Sequence, residues 1–444
     1  MTGLLRTQGG RWFLTMWAGQ SVSQMGSRLT AFAVGVWLYQ KTGQATPLFL
    51  SAIFGFLPGV LLAPFAGVIV DRSDRRQVML LVCIGHLLLS SLFYLLLRGD
   101  IQLWAIYAIL AFGSAIETFQ YPAEASSISV LVHKDQLGQA NGLFSISSGV
   151  TDLAAPILGG ILVTQIGIVG VVLLDLVSFA FEFVTLNLIR IPRPTQSQQG
   201  SSMKDAGILT QVQDGFRFIL ERPGLLSLLI TFSGVNFIGS ITVDLQAPLI
   251  LARTGSSSIL GIVGAAFGVG VLLGGVYMTA TGGPKPRVHG VFAGLGISGI
   301  LGQSLFGLAQ SAPIWMLANF CAGFLLPVLN GCSQIIWQAK TPADIQGRVF
   351  TARRQIAQIT SPIAFAIAGP LADQVFTPVM NGSIGSSLSW LLGAAPGRGF
   401  AAMFLIFGIL NSLTGFAGYL RPAARNVELE IPDAINSHLG NARE

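Results

Sequence analysis

The 444-residue chain has few charged residues for its length. Asp, Glu, Lys and Arg together make up 10% of it, whereas soluble globular proteins carry about 25%. A chain of this size cannot cover a water-exposed surface with so few charges, which excludes a soluble protein. Hydrophobic residues make up 52% of the chain and fall into long runs, so we expect a protein that lies in a lipid bilayer.

Cysteine is scarce, and a nucleotide-binding loop is missing. The three cysteines, Cys83, Cys321 and Cys332, lie in apolar runs without the spacing of a disulfide framework or a metal site. The chain has no G-x-x-x-x-G-K-[ST] sequence, so we expect no ATP-driven reaction. No Ser/His/Asp cluster stands out either. We therefore predict a protein that is not an enzyme and that needs no cofactor and no metal.

Twelve apolar segments are long enough to cross a bilayer, which takes about 20 residues. We predict spans at residues 12–40, 46–70, 77–97, 102–122, 138–165, 167–190, 223–252, 257–280, 288–310, 312–338, 347–378 and 399–420. Prolines and a polar Gln/Ser run after the sixth span indicate a linker. The predicted domains are a six-helix bundle at 1–190, a cytoplasmic linker at 191–222, a second six-helix bundle at 223–420 and a cytoplasmic tail at 421–444.

Helical spacing of apolar residues at 208–220 predicts an amphipathic helix on the membrane surface, with an extension of the seventh span as the alternative. Lys and Arg placement predicts the orientation. With the N-terminus in the cytoplasm, 20 of the 25 Lys and Arg residues lie on the cytoplasmic side. The positive-inside rule therefore puts both termini in the cytoplasm. The net charge of +6 follows from this bias and does not indicate nucleic-acid binding.

The two halves of the chain are weakly similar to each other. When the first half is shifted by 206 residues, Lys134 meets Lys340, Phe144 meets Phe350 and Pro156 meets Pro362. Parallel repeats of this kind are typical of transporters with two related bundles and a substrate site near mid-membrane. We predict an all-α membrane protein of twelve transmembrane helices in two pseudo-symmetric six-helix bundles.

The loop between the second and third spans carries the most specific motif. Gly67, Asp71, Arg72, Arg75 and Arg76 form a G-x-x-x-D-R-x-x-R-R pattern between two apolar runs. This pattern resembles the loop signature of the major facilitator superfamily of transporters. In that fold, span 2 of one half faces span 11 of the other.

The resemblance implies that these loop residues contact the start of span 11 and act with it as a conformational latch. That start carries Gly347 and Arg348. Asp71 is expected to be stabilised there by the positive end of the helix dipole. Since the contact exists only when the cytoplasmic side is closed, we expect it to favour the outward-open state.

A second motif lies in the fifth span. Pro156, Gly159 and Gly160 resemble the P-x-x-G-G core of antiporters in this superfamily, and Gly142 matches an upstream glycine. Close packing of helices through small residues is the structural alternative.

Longer segments resemble the macrolide-efflux and siderophore-exporter branch, the drug:proton antiporter-3 family. These segments are 29–39, 139–142, 175–179 and 347–350. The resemblance implies a multi-pass exporter of the bacterial inner membrane. Its cargo would be a drug, a macrolide, a siderophore or a peptide natural product.

Charged residues inside spans are costly and are candidates for function. A proton-coupled exporter needs a carboxylate that binds a proton on one side of the membrane and releases it on the other. Our proton-coupling candidates are Asp152 and Glu117 first, then Glu182 and the cation Arg28, which should pair with one of the first two. A static buried ion pair or a carboxylate that faces the membrane interface is the competing interpretation for each.

Our main hypothesis is a secondary transporter that exports a small amphipathic molecule by proton antiport and alternating access, functioning as a monomer. An uptake symporter or a lipid transporter of the same fold is the alternative, and a non-transporting membrane scaffold is the third. The sequence does not name the cargo. Aromatic residues that could line its cavity are Trp37, Phe112, Phe119, Phe320 and Trp337.

Overall fold

The computed structural model describes residues 7–99, 102–132, 137–191, 215–341, 346–393 and 396–432, which contain helices, turns and bends but no strand. The amphipathic helix predicted at 208–220 falls mostly outside the described residues, although residues 215–220 are helical.

Six helices make up the described part of the first half. They are α1 (Gln8–Thr42), α2 (Thr46–Arg72), α3 (Arg75–Leu96), α4 (Leu103–Glu117), α5 (Gln120–Leu131) and α6 (Leu137–Leu188). α1 begins where the Thr7 hydroxyl accepts a hydrogen bond from Gly10 N, and it ends at Gly43, whose φ of 66° few other residues adopt. Within α6 the single residue Gly167, with φ 66° and ψ −179°, joins two helical stretches.

The second half contains further helices with two π-helical stretches. The first group is α7 (Pro223–Val243), α8 (Gln246–Thr254), α9 (Ser257–Thr281), α10 (Arg287–Ile297), a π-helix at Ser298–Ser304 and α11 (Leu305–Leu308). Then come α12 (Ala312–Lys340), α13 (Gln346–Pro370), a π-helix at Leu371–Phe376, α14 (Thr377–Asn381), α15 (Ser383–Ser387), α16 (Ser389–Leu392), α17 (Arg398–Leu420), α18 (Pro422–Arg425) and α19 (Val427–Glu430).

The chain divides into two compact units. Unit 1 contains residues 1–195 and 254–265, and unit 2 contains residues 196–253 and 266–444. Unit 1 has two apolar cores, one around Phe13, Met79 and Phe179 and another around Leu29 and Phe93. The core of unit 2 lies around residues such as Leu228, Phe292 and Trp337.

Ten helical segments in the described residues are long and apolar enough to cross a membrane. Two of the predicted spans, the fifth and sixth, are merged into the 40-residue segment Gly149–Leu188. The first helix, Gln8–Thr42, is not among the ten because polar residues are spread along it, although its 35 residues suffice in length. The exact number of twelve spans stays a prediction.

Many large apolar side chains point outward from both units. Leu81, Leu188 and Leu420, for example, are 68%, 70% and 76% exposed. Apolar surface on this scale is unstable in water and stable against lipid tails. The outer faces of the helices are therefore the faces that contact the bilayer.

Candidate functional site

Four ionisable side chains and one amide lie together in unit 1, between α3, α6 and the junction of α4 with α5. We call this group the carboxylate cluster; its members are His86, Glu117, Gln120, Glu124 and Glu182. His86 Nε2 lies 3.0 Å from Glu117 Oε2, and the imidazole stacks on Phe179 with ring centroids 4.9 Å apart. A histidine and a carboxylate at hydrogen-bond distance can share and pass on a proton.

The sequence forms this cluster by interrupting the fourth span. Pro122 has no N–H, so the helix cannot make its regular bond to the carbonyl of Thr118. α4 ends at Glu117, α5 begins at Gln120, and Phe119 N donates instead to Ile116 O at 3.2 Å. Interrupted helices often form ion and substrate sites in transporters. The span predicted at 102–122 agrees with the membrane-length segment Leu103–Glu124, within which α4 ends and α5 begins.

Gln120 links the interrupted helix to α6. Its Nε2 donates to Glu182 Oε1 at 3.2 Å, and Glu182 is only 3% exposed. Glu124, one turn further along α5, lies close enough to both Glu117 and Glu182 to interact with them electrostatically. Interacting carboxylates bind and release protons as a group.

The carboxylate cluster has a half-open side and a closed side. The Glu117 side chain is 63% exposed, whereas that of His86 is 16% exposed. Deeper in the unit, Asp175 is 4% exposed and its Oδ2 accepts a bond of 3.4 Å from Ser90. In the described residues no group of His, Cys, Asp and Glu is arranged to hold a metal ion.

A second charged pair lies between α1 and α6. Arg28 Nη2 is 3.8 Å from Asp152 Oδ1, so the arginine has the carboxylate partner that its position in a span requires. Both side chains are exposed, at 59% and 61%. Asp152 is thus an ion-paired and accessible carboxylate, in contrast to the buried Glu182.

Hydrogen bonds within unit 1 hold the charged loop between α2 and α3 in place. Asp74 caps α3, accepting from Arg76 N at 3.0 Å and Gln77 N at 3.2 Å. Arg76 donates from Nε to Leu186 O at 2.9 Å and from Nη2 to Asn187 O at 3.0 Å. Arg76 therefore binds the carbonyl end of α6, where a positive charge is stabilised by the helix dipole.

Several of the predicted latch residues lie outside the described part of the chain. α13 begins at Gln346, close to the expected start at Gly347. The side chains of Asp71, Arg72 and Arg348, and the surroundings of Gly67, Gly142 and Gly347, lie outside the described residues. The latch itself stays a prediction.

The motif of the fifth span packs tightly against the start of α9 inside unit 1. A Cβ added to Gly160 would lie 2.5 Å from Ser257 O, and one on Gly264 would lie 2.9 Å from Pro156 Cβ. The hydroxyl oxygens of Thr164 and Ser257 lie 2.9 Å apart across this contact. A Cβ on Gly159 would press on Phe32 at 2.8 Å. These small residues allow close helix packing.

The aromatic candidates have different surroundings. Trp337 is 1% exposed in the core of unit 2, with the Arg353 guanidinium 5.1 Å from its ring, which is the position of a packing residue. Trp37 carries the Lys41 ammonium 4.8 Å above its ring, and Phe320 stacks on Phe324. Phe119 is partly buried against an apolar core of unit 1. Phe112 is 63% exposed.

Comparisons with known proteins agree with this architecture. A family model described as Major Facilitator Superfamily matches residues 16–364. The chain is 25% identical to macrolide efflux protein A of Streptococcus pyogenes over 372 residues, 82% of this chain and 90% of that protein. It is 26% identical to the enterobactin exporter EntS of Salmonella typhi over 334 residues, 72% of this chain and 75% of that protein.

A solved structure shares the fold. It is a bacterial homolog of the human lysosomal transporter Spinster, in an inward-facing and unoccupied conformation, with a TM-score of 0.66 and 16% identity. The alignment covers 93% of this chain and 99% of that one. This multi-pass membrane protein is a transporter and not an enzyme, and it belongs to the Major Facilitator Superfamily, in the branch of macrolide efflux proteins and the enterobactin exporter.

Proposed function

We propose that this transporter exports a small amphipathic molecule in exchange for protons, by alternating access. Export is supported by relatives whose names describe efflux of macrolides and export of enterobactin. A macrolide or a siderophore is therefore the first class of cargo to test. The observation that carries the proton part of the proposal is the His86–Glu117 contact of 3.0 Å at an interrupted helix.

The carboxylate cluster supplies the groups that a proton exchanger needs. Glu117 is exposed and can take a proton from water, and His86 at 3.0 Å can receive it. Glu182 is buried behind them and held by Gln120. A change in the α4–α5 junction would alter the distance between Glu117 and Glu182, and so couple proton binding to conformation.

The Arg28–Asp152 pair is the second proton-coupling candidate. A carboxylate beside an arginine is stabilised in its charged form, so protonation of Asp152 would break the pair. Glu117, whose described partner is a histidine, can change protonation without leaving a permanent cation unpaired. We therefore place proton coupling at Glu117 and give Arg28 and Asp152 an orienting role between α1 and α6.

We also propose that the protein lies in the bacterial inner membrane with both termini in the cytoplasm and functions as a monomer. The distribution of Lys and Arg supports this orientation. We retain the division into two bundles at 1–190 and 223–420, joined by a linker at 191–222 and followed by a tail. Accessibility of single cysteines placed near each terminus of a cysteine-free variant, in intact cells, tests the orientation.

Flux into proteoliposomes tests the function. With an acidic lumen, an antiporter moves protons out and labelled erythromycin, as the macrolide probe, inward; a symporter would instead need an alkaline lumen. Protein-free liposomes correct for passive trapping of a basic drug. We expect uptake that depends on the acidic lumen and is lost with a protonophore. Uptake that survives the protonophore, or uptake driven by an alkaline lumen, contradicts proton antiport.

A further inference from the structure

Unit 2 contains a pocket of about 420 Å³ whose walls carry six amide side chains. These amides are Asn236, Gln246, Gln303, Asn319, Asn330 and Asn411. We call this site the amide pocket. Its volume lies within the range of small-molecule sites, roughly 300–1,000 Å³. The rest of the wall contains apolar side chains such as Phe232, Phe267 and Phe404, and also serine and threonine hydroxyls.

The amides come from several different helices, and four of them are held by hydrogen bonds between side chains. Gln246 and Asn319 donate to each other, at 3.2 and 3.0 Å. Gln303 donates to Thr242 Oγ1 at 3.1 Å and accepts from Asn411 Nδ2 at 2.9 Å. Gln303 lies in the π-helix at Ser298–Ser304, and π-helical turns are frequent at functional sites.

One polar atom of the pocket lacks a partner. Asn411 is 3% exposed, and its Oδ1 accepts no hydrogen bond from the residues that the structure describes. A buried acceptor without a donor is unfavourable, because it has lost water and gained nothing in return. A cargo hydroxyl or N–H that reaches Oδ1 as this wall of the pocket adjusts to the bound molecule would remove that cost.

The residues that line the pocket carry no charge. None of them is Asp, Glu, Lys, Arg or His. A charged ligand group in this place would lose its hydration without an opposite charge, which is strongly unfavourable. Amides both donate and accept, so they suit hydroxyl groups and peptide-like amides.

We propose that the amide pocket binds the uncharged, hydroxyl- or amide-bearing part of the cargo, with its apolar part against the phenylalanines. This proposal rests on the proposed transport function, since it names the substrate class that the exporter carries. The acids of unit 1 are not part of it. Selectivity is thereby assigned to unit 2, for neutral polar groups on an amphipathic molecule.

Equilibrium binding to the full-length protein in lipid nanodiscs tests the pocket, with three probes that share a tail and differ in headgroup. Hexyl β-D-glucoside is neutral, hexyl sulfate is anionic and hexyltrimethylammonium is cationic. Empty nanodiscs correct for partitioning into lipid in the calorimeter. We expect saturable binding of the glucoside, and at least roughly tenfold weaker binding of both charged probes.

Two variants locate the binding. Asn411→Leu removes the unpartnered acceptor, and Asn330→Leu removes a more exposed amide of the same wall, in case the first variant fails to fold. Each should weaken glucoside binding by about three- to tenfold. Asn381→Leu is the matched control, because Asn381 is exposed at the end of α14 and does not line the pocket. Binding in that control should be unchanged.

The outcomes separate this proposal from the transport proposal. Absence of saturable glucoside binding overturns the amide pocket, and so does equal binding of the charged probes or equal binding in pocket and control variants. Binding at equilibrium needs no proton gradient. If flux is independent of protons but the glucoside binds as expected, proton antiport is overturned and the amide pocket is not. Proton-driven flux with unaltered binding in both pocket variants would overturn the pocket alone.

Discussion

The two units pack their helices in the same way but differ in what they bury. In unit 1, Gly261 lets α9 approach the carbonyl of Pro156; in unit 2, Gly323 lets α12 approach the carbonyl of Phe267 in the same manner. Both units bury serine and threonine side chains, but the polar groups at their candidate sites differ. Unit 1 holds Glu117, His86 and Glu182, whereas the amide pocket of unit 2 is lined by neutral side chains.

This difference indicates that the two halves of a duplicated fold have separate tasks. Packing constrains the shape of both units, and therefore small residues occur in both. Polar chemistry is constrained by the transported species, and protons and neutral cargo need different side chains. The comparison predicts that unit 1 is sensitive to loss of charge, while unit 2 is sensitive to loss of hydrogen bonds.

The largest effect is expected from Glu117→Gln. This change keeps the shape and removes the carboxylate that contacts His86. Flux driven by an acidic lumen should fall to the level of protein-free liposomes, while binding of hexyl glucoside stays unchanged. Exchange of labelled for unlabelled cargo without a gradient should persist, because it needs no net proton movement.

Glu221→Gln is the control for this prediction. Glu221 pairs with Arg217 at 2.8 Å on an exposed helix turn, and such pairs contribute little to stability. Its flux should equal that of the wild type. If gradient-driven flux persists in Glu117→Gln, Glu117 is not the proton-coupling residue. Asp152→Asn is then the next variant to measure.

Gln303→Leu should give the next largest effect, in unit 2. The change removes the acceptor of Asn411 Nδ2 and the bond from Gln303 to Thr242, whose Oγ1 still donates to Gly239 O. Because Gln303 also lines the pocket, the change takes a hydrogen-bonding group from the cargo site, and we expect KM for transport to rise roughly tenfold. The dependence of flux on the pH gradient should stay that of the wild type. A changed gradient dependence with an unchanged KM would reverse the assignment of tasks.

The shared packing gives a smaller and equal effect in both units. Gly160→Ala would press against Ser257 O, and Gly274→Ala against the backbone of Phe324. Each should lower the free energy of unfolding by about 1–3 kcal/mol, measured by thermal unfolding in nanodiscs. Gly55→Ala is the control, since a Cβ there meets no atom within 4 Å. A large difference between Gly160→Ala and Gly274→Ala would show that the units are not packed alike.

The sequence predicted the fold better than the site. A low content of charged residues and long apolar runs predict a helical membrane protein, and this prediction does not depend on how the helices pack. Arg28 could be assigned an acidic partner because an unpaired arginine within a span is too costly. Asp74 could have been found as well, since an Asp just before an apolar run is a typical helix N-cap.

Other features depend on tertiary contacts that no local pattern reveals. His86 and Glu117 are 31 residues apart and meet only when α3 packs on α4. A lone histidine on an apolar helix is by itself no signal of a site, so the sequence does not single out His86. Asp175 is 4% exposed, and its contact with Ser90 of α3 likewise joins two separate helices. The amide pocket brings together residues from four or more segments that share no motif.

The smallest predicted effect concerns helix caps. The two units use different residues to bind the first N–H groups of a helix. In unit 1 the first N–H groups of α3 bind Asp74, which lies directly before the helix. The corresponding loop of unit 2 has no such aspartate, and Val288 N of α10 donates to Glu428 Oε2 at 2.8 Å. Glu428 belongs to α19, and Lys340 holds this segment by donating to Glu428 O and Ile431 O. The second unit thus takes its cap from a segment 140 residues away in the chain.

Asp74→Ala and Glu428→Ala should each cost about 1 kcal/mol of stability, as loss of a cap generally does. Their local effects should differ. Hydrogen exchange should accelerate at the start of α3 in Asp74→Ala, and at Val288 in Glu428→Ala, where α19 should also exchange faster. Glu430→Ala is the matched control, because that side chain accepts only from Asn426 in its own segment, at 3.2 Å, among the described residues. If Val288 exchanges as slowly in Glu428→Ala as in this control, the distant cap contributes nothing, and α10 is stabilised by packing alone.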